Sequence, residues 1–350
     1  MISKHMKIES LKTVFPSRRV TNQDIINMIR KDSTNYGGDL ESALKGIKAM
    51  LRFSGARERR WLNEKEKPIE LLGRAVDSAI QESGLPRESI DTVIYTGVDR
   101  AFIEPANAYF VANSLNMPNA RCFDIADACM SWSTALQILQ GMFKQGCSKR
   151  ALVVNAEFNQ THENWIGYPK IFNLTKPEQI EYTFPGYTVG EATTATLLSA
   201  DNSQEWEFHF KTRSDLAHLC TAATIGADNY ITNTKGIRAY NQFVSFGREM
   251  HEHGTPEVID IFKKLKCPIR EIKAIFPHTS SKKAWEDVAK KIDVNHLMHF
   301  LYPEYGNIVS ASVPAGLSIA IEQGRVRRGD RVAGWVGSAG MSFSAYSFTY

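Results

Sequence analysis

The chain has 350 residues, 43% hydrophobic and 23% charged, with a formal net charge of +4. That composition supplies a large globular core, and its interleaved acids and bases exclude a dedicated nucleic-acid binder. No apolar run reaches the roughly 18 residues that span a bilayer, and the opening MISKHMKIES lacks the apolar core of a secretory signal, so the expectation is a cytoplasmic protein with no membrane part.

Strand-like and helix-like segments alternate along the chain. The helical pattern ELLGRAVDSAIQESG leads to the β-branched and aromatic run Thr92 to Thr96. STALQILQGMFKQG leads to Ala151 to Val154, and the theme returns at Ala274 to Phe276 and Val332 to Val336. Strands alternating with amphipathic helices predict an α/β fold with a parallel or mixed sheet covered on both faces. Between Asn155 and Tyr187 periodicity is lost and Trp, Tyr, Phe, Asn and Pro accumulate. This stretch reads as a structured insertion, either lining a substrate channel or packed on its own aromatics.

A faint repeat runs through the chain. ESIDTVIYTG is similar to REIKAIFPHT, and ALQILQGMFKQGCSKRALVV to LSIAIEQGRVRRGDRVAGWV, both offset by about half the chain. The pairs predict two duplicated halves, 1–200 and 201–350, packed face to face on one core.

The five cysteines are odd in number, irregularly spaced and without a CxxC, which argues against a disulfide framework and a zinc site. One of them is placed for chemistry. In CFDIADACMSWSTALQILQG a short strand passes through small residues into a helical run, and Cys129 falls at the turn. The free N–H groups and partial positive charge of a helix start favour thiolate over thiol, as a nucleophile requires; a small buried cysteine at a tight turn is the plainer alternative. FPHTSSKKAW places His278 after a strand, and YGNIVSASVPAGL places Asn307 in a turn before a helix. Strand ends are where α/β sheets collect functional groups. Under the repeat, Cys129 corresponds to the neighbourhood of Asn307, so Cys129, His278 and Asn307 are expected to converge. His251 and His253 in REMHEHG stand two apart, which points their rings away from each other on a helix and excludes a paired metal site. No phosphate loop of either common type occurs, so no nucleotide, flavin or metal cofactor is expected.

SGARERRW, DACMSW, PHTSSK, YGNIVSASVP with GRVRRGDRV, and the terminal GSAGMSFSAYSF occur in an order that resembles the β-ketoacyl-acyl-carrier-protein synthase III branch of the thiolase-fold condensing enzymes. The resemblance spans nearly the whole chain. It implies two βαβαβαββ halves in a five-layer αβαβα sandwich, and a homodimer whose central sheets join. It implies that Cys129 carries an acyl group taken from a coenzyme A or acyl-carrier-protein thioester. The N–H groups of Cys129 and Ala339 would form an oxyanion hole. His278 and Asn307 would hold the thioester oxygen of a second, malonyl-type substrate through decarboxylation and Claisen condensation.

The chain departs from that pattern in four places. Thr279 and Ser281 stand where Gln and Asn usually follow the histidine, and VGEATT at Val189 to Thr194 replaces GDGAG. Ala49 and Phe53 replace the Trp and Arg that sandwich an adenine, which favours a carrier-protein donor as much as coenzyme A. In DRAFIEPANAYF, Glu104 takes the tip of the segment that reaches into the neighbouring subunit. There it is similar to head-to-head condensing enzymes of olefin synthesis, in which that carboxylate serves as a base. The departures point to specialised metabolism rather than primary fatty-acid initiation. Arg57, Arg59 and Arg60 are candidates for guiding a pantetheine phosphate or carrier protein, or else form a solvated face; the Arg325 to Asp330 turn reads as surface, with a carrier-docking patch as the alternative. Two further readings stay open: an acyltransferase passing its acyl group to oxygen, nitrogen or a β-keto carbon, and a silent partner subunit.

Overall fold

The computed structural model describes residues 5–160, 168–201 and 206–350. Residues 161–167 of the expected insertion lie outside the described residues. Along the chain, the strands of the first sheet are His5–Val14, Thr92–Thr96, Arg121–Ile125, Arg150–Glu157 and Ala192–Asp201. Numbered one to five in that sequence, they lie in the spatial order 1-5-4-2-3. Strands two, three and four are parallel, and strand five runs antiparallel to both of its neighbours. The second sheet contains Glu207–Thr212, Ile272–Pro277, Arg331–Ser338 and Ser342–Thr349. Matched to the first sheet, their order is 1-5-4-2. The counterpart of strand three is reduced to one parallel bridge, Ile275 to Met298. The chain has just left a 3-10 turn at Asn295–Leu297 and enters a new helix at Tyr302–Tyr305, too soon for a longer ladder.

Side-chain alternation divides each strand between two layers. Val93 and Tyr95, with Leu152 and Val154, pack outward against Leu72, Ala75, Val76 and Ala79 of the helix Pro68–Ser83. Ile94, Ala151 and Val153 face inward. In the second sheet Ile275, Ala333 and Trp335 pack outward on the helices Gly247–Phe262 and Lys282–Lys290, while Phe276, Val332 and Val336 face inward. The inward faces enclose the helices Ser131–Gln145 and Ser312–Glu322, which bury Trp132, Leu136, Leu139, Val313 and Leu317 in one shared core. The result is the five-layer αβαβα sandwich of the thiolase-like fold. A smaller cluster, from the helices Asn22–Asp32 and Leu40–Ser54 with Ile171, Phe172, Leu174 and Tyr187, caps one end. No helix among the described residues is long and apolar enough to cross a membrane.

The two central helices start 181 residues apart (131 and 312), as do the strands that follow them (150 and 331). The same offset pairs Cys129 with Ser310, three residues past Asn307. It also pairs Ala128 with Val309, and both hold the left-handed backbone, φ 45 and 49.

Gly334 shows how tightly the second sheet closes. A Cβ there would lie 2.1 Å from the buried ring of Tyr346, its cross-strand partner. Gly334→Ala is therefore expected to destabilise the protein by about 1–3 kcal/mol through overpacking, read as a lower urea midpoint at unchanged slope.

Candidate active site

Cys129 sits in the 3-10 turn Ala128–Met130, between the strand Arg121–Ile125 and the helix Ser131–Gln145. The left-handed Ala128 turns the chain so that the Cys129 thiol enters a cavity of about 760 Å³, which His278, Asn307 and Ala339 also line. The fold thus brings together the four residues that the sequence had singled out across 211 positions, from 129 to 339 in the chain. Burial pushes the Cys129 thiol well above its ordinary range, with Cys220 and Glu157 adding to the effect, and the Ala339 backbone and Ser338 side chain beside the sulfur offset only part of it. A thiolate stabilised by the helix start is therefore not the resting state: desolvation is the larger effect.

His278 follows the strand Ile272–Pro277, and its N–H bonds the Trp335 carbonyl at 2.9 Å. The side chain is buried, and desolvation lowers its pKa to about 4, so the ring is neutral at pH 7. Nδ1 lies 3.1 Å from Ser312 Oγ. Asn307 is fixed through its backbone: its N–H donates to the Thr188 carbonyl at 2.8 Å and its carbonyl accepts from Gly190 N–H at 2.9 Å. Gly306 makes that approach possible, since a Cβ there would sit 2.2 Å from the Thr188 carbonyl oxygen and its φ is 67. Asn307 Oδ1 accepts from Val309 N–H at 3.0 Å, which turns the amide NH2 away from the Val309 backbone. The VGEATT departure is thus the strand-end segment against which the asparagine turn docks, through Val189 and Gly190.

Two residues near the thiol escaped the sequence reading, the half-buried Cys220 and the buried Glu157. Cys220 lines the same cavity, its pKa raised by burial to about 11. Glu157, fully buried at the end of its strand, accepts from Ser310 N–H at 3.2 Å, Val98 N–H at 3.2 Å and Asn159 Nδ2 at 3.0 Å, and also binds the Ser310 hydroxyl. Burial pushes its carboxyl up against those bonds. A carboxylate closing an apolar strand was the available signal for Glu157; Cys220 offered none.

The arginine cluster is a correction. Arg59 is completely buried, its guanidinium donating to the Tyr187 carbonyl at 2.9 Å and to Asn22 Oδ1 at 3.0 Å. Desolvation lowers its pKa to about 10, and no docking partner can reach it. Strand alternation put it inside: Arg59 and Trp61 face in, and Glu58 and Arg60 face out. Arg57 pairs with Glu304 and Arg60 with Glu58 at 3.5 Å, and neither lines the cavity. The cavity is lined instead by Arg248, paired with Glu252, and Lys283, paired with Asp287, together with Glu181, Met50 and Phe53; Lys283 Nζ lies 5.9 Å from the Phe53 ring, and Phe53 is 72% exposed. Glu104 is exposed and outside its own chain's cavity. Of the insertion, Ile180, Phe184 and Pro185 line the cavity, while Ile171 and Phe172 pack into the cap. Among the described residues no group of three or more His, Cys, Asp or Glu could hold a metal ion.

Residues 262–350 match the family model of the 3-oxoacyl-[acyl-carrier-protein] synthase III C-terminal domain. A β-ketoacyl-[acyl-carrier-protein] synthase III of Clostridium novyi is 24% identical over 98% of both chains. Among solved structures, OleA of Xanthomonas campestris superposes with a TM-score of 0.82 at 19% identity, covering 100% of each chain. A 3-oxoacyl-(acyl carrier protein) synthase III from Xanthomonas oryzae superposes with a TM-score of 0.80 at 20% identity, again over 100% of each. The chain has the thiolase-like fold and is similar to synthase III enzymes along its whole length. Its matched C-terminal segment contains His278, Asn307 and Ala339, and Cys129 comes from the other half.

The geometry separates the roles of neighbouring arginines. Arg59→Ala leaves buried carbonyls unpartnered and is expected to cost at least about 2 kcal/mol of stability. Arg57→Ala breaks one exposed ion pair and is expected to stay within about 1 kcal/mol of wild type. Urea melts of the two variants check this.

Proposed function

We propose that the protein takes an acyl group from a thioester onto Cys129 and condenses it with a second acyl thioester to give a β-keto thioester. The observation that carries this is the convergence of Cys129, His278, Asn307 and Ala339 on one cavity. The N–H groups of Cys129 and Ala339 receive the carbonyl oxygen as sulfur attacks, where such donors are worth several kcal/mol. Asn307 offers its amide NH2 to the oxygen of the second thioester, and His278 flanks the same position. That donor favours condensation over simple transfer to oxygen, nitrogen or a preformed β-keto carbon, because a developing enolate needs a second oxyanion site. An intact cysteine, histidine and asparagine disfavour the silent-subunit reading. The acyl donor is a coenzyme A or acyl-carrier-protein thioester. Arg248 and Lys283 on the cavity lining, each already paired with a carboxylate, are the groups that could exchange those partners for a donor phosphate or an acidic carrier protein. The departures around the site support a role in specialised metabolism rather than primary fatty-acid initiation.

We infer a homodimer from a second observation. Phe102 and Phe110 stack at 4.0 Å on the surface, beside Ile103, 83% exposed, and Tyr109. The neighbouring strand Arg121–Ile125 is the sheet edge, bonded on one side. Exposed aromatics beside an open edge mark an interface. Glu104 sits within this patch, which supports the reading that it serves as a base in the partner's cavity for head-to-head condensation without decarboxylation.

Mixing the protein with acyl thioesters on coenzyme A and on carrier protein is expected to add one acyl mass to Cys129, and a malonyl-carrier chase to discharge it as a β-keto thioester. Cys129→Ala is expected to take no acyl group, and full activity in that variant would sink the reading. Asn307→Ala is expected to self-acylate normally and condense about 100-fold more slowly. Should the acyl mass survive the malonyl chase but discharge onto a second acyl thioester, and Glu104→Gln block that discharge, head-to-head condensation is the reaction. Light scattering should give the mass of two chains; a monomer at micromolar concentration would remove both the dimer and the Glu104 role.

A further inference from the structure

A neutral imidazole carries one proton, on Nδ1 or on Nε2, and its hydrogen-bond partners decide which. At His278 those partners form a chain. Ile308 N–H donates to Thr279 Oγ1 at 2.9 Å, and Thr279 Oγ1 lies 2.7 Å from Ser312 Oγ. Ser312 Oγ is 2.5 Å from the Val309 carbonyl oxygen and 3.1 Å from His278 Nδ1. With one oxygen site filled by Ile308 N–H, the Thr279 hydroxyl turns its proton toward Ser312. Ser312 has a single proton for two neighbours, and a carbonyl at 2.5 Å is the stronger claim. The duplicated half supports this assignment: Ser131, 181 residues earlier, donates to the Ala128 carbonyl at 2.8 Å in the matching turn. Ser312 then has only a lone pair left for Nδ1, so Nδ1 must be the donor. The Val309 carbonyl, which Ser312 also bonds, is a second acceptor for the ring N–H, and the lone pair falls on Nε2, in a side chain that lines the cavity.

We propose that Thr279 and Ser312 are positioning residues that hold His278 in the Nδ1–H tautomer, so that Nε2 is the acceptor for the Cys129 proton. The inference rests on reading Cys129 as the acyl carrier. Such an acceptor is needed, because the buried thiol is protonated at neutral pH. As the S–H bond breaks, the proton passes to Nε2 and the sulfur electron pair forms the C–S bond to the acyl carbonyl. When the tetrahedral adduct collapses, the departing thiolate takes the Nε2 proton and the ring returns to its first tautomer. Thr279 stands at one of the positions that depart from the family pattern, so this chain reaches Ser312 through a residue of its own. Of the titratable groups around the ring, burial raises Cys129, Cys220, Glu157 and Tyr302, while the helix Lys282–Lys290 brings the Lys283–Asp287 ion pair, and Glu181, Arg248 and His251 also line the cavity. The first four are thus held toward their neutral forms, and the Lys283–Asp287 pair carries no net charge.

The test is single-turnover acylation against pH, followed by intact mass. His278 is a free base above about pH 4, so wild-type acylation should be level from pH 6 to 9. Thr279→Val should slow acylation about 10-fold and Ser312→Ala about 100-fold at pH 7, with thioester affinity unchanged. Both rates should climb toward pH 9, because the thiol must then ionise unaided. Thr279→Ser should restore both rate and profile. Nitrogen-15 NMR of histidine-labelled wild-type protein should show protonated Nδ1 at His278 and needs no variant to fold. An Nε2–H signal, or a Thr279→Val enzyme with wild-type rate and profile, overturns the proposal. Absence of acylation in the wild type would instead strike the assignment of Cys129, and the NMR signal would still decide the tautomer.

Discussion

The site depends on one backbone constraint, the left-handed residue ahead of each central helix. Ala128 and Val309 hold φ 45 and 49, a region that a β-branched residue such as Val309 enters only when its surroundings force it. Each lets a strand-end loop double back into a helix buried between the sheets. Because the helices are 181-residue duplicates, their starts meet near the centre of the molecule. One turn delivers Cys129; the other delivers Ser310, which holds Glu157, and Ser312, which holds His278. The duplication thus supplies two copies of one turn and assigns them different work.

Burial sets the electrostatics of what those turns deliver. Desolvation raises Cys129 and Glu157 and lowers His278, so the thiol and the imidazole both rest uncharged. Desolvation strengthens each hydrogen bond aimed at a developing oxyanion. It also means that the nucleophile must be made during the reaction. The mouth differs, with Arg248, Lys283 and an exposed Phe53 meeting solvent while the interior stays apolar. A polar carrier outside and an acyl chain inside is the substrate shape that this gradient suits.

Rigidity comes from close packing around the strand ends. Gly190 and Gly306 let two turns touch above the buried Arg59, whose guanidinium reaches back to the Tyr187 carbonyl. The asparagine is therefore positioned by backbone bonds on either side, and small changes in this layer would move it without altering the residue itself.

Much of this was legible in the sequence. The strand and helix periods, the half-chain repeat and the turn residues around Cys129, His278 and Asn307 are local patterns, and local patterns fix secondary structure and which residues lie at strand ends. The alternation in ERRW already implied that Arg59 and Arg60 point to opposite sides, but only packing decided which side is the interior. The missing third strand of the second half, the arrival of Cys220 in the cavity and the Thr279–Ser312 contact with His278 depend on residues tens to hundreds of positions apart. Their proximity is a property of how the two sheets close on the shared helices. The same holds for the thiol's protonation: a helix start is visible in sequence, but the desolvation that outweighs it exists only once the core has formed.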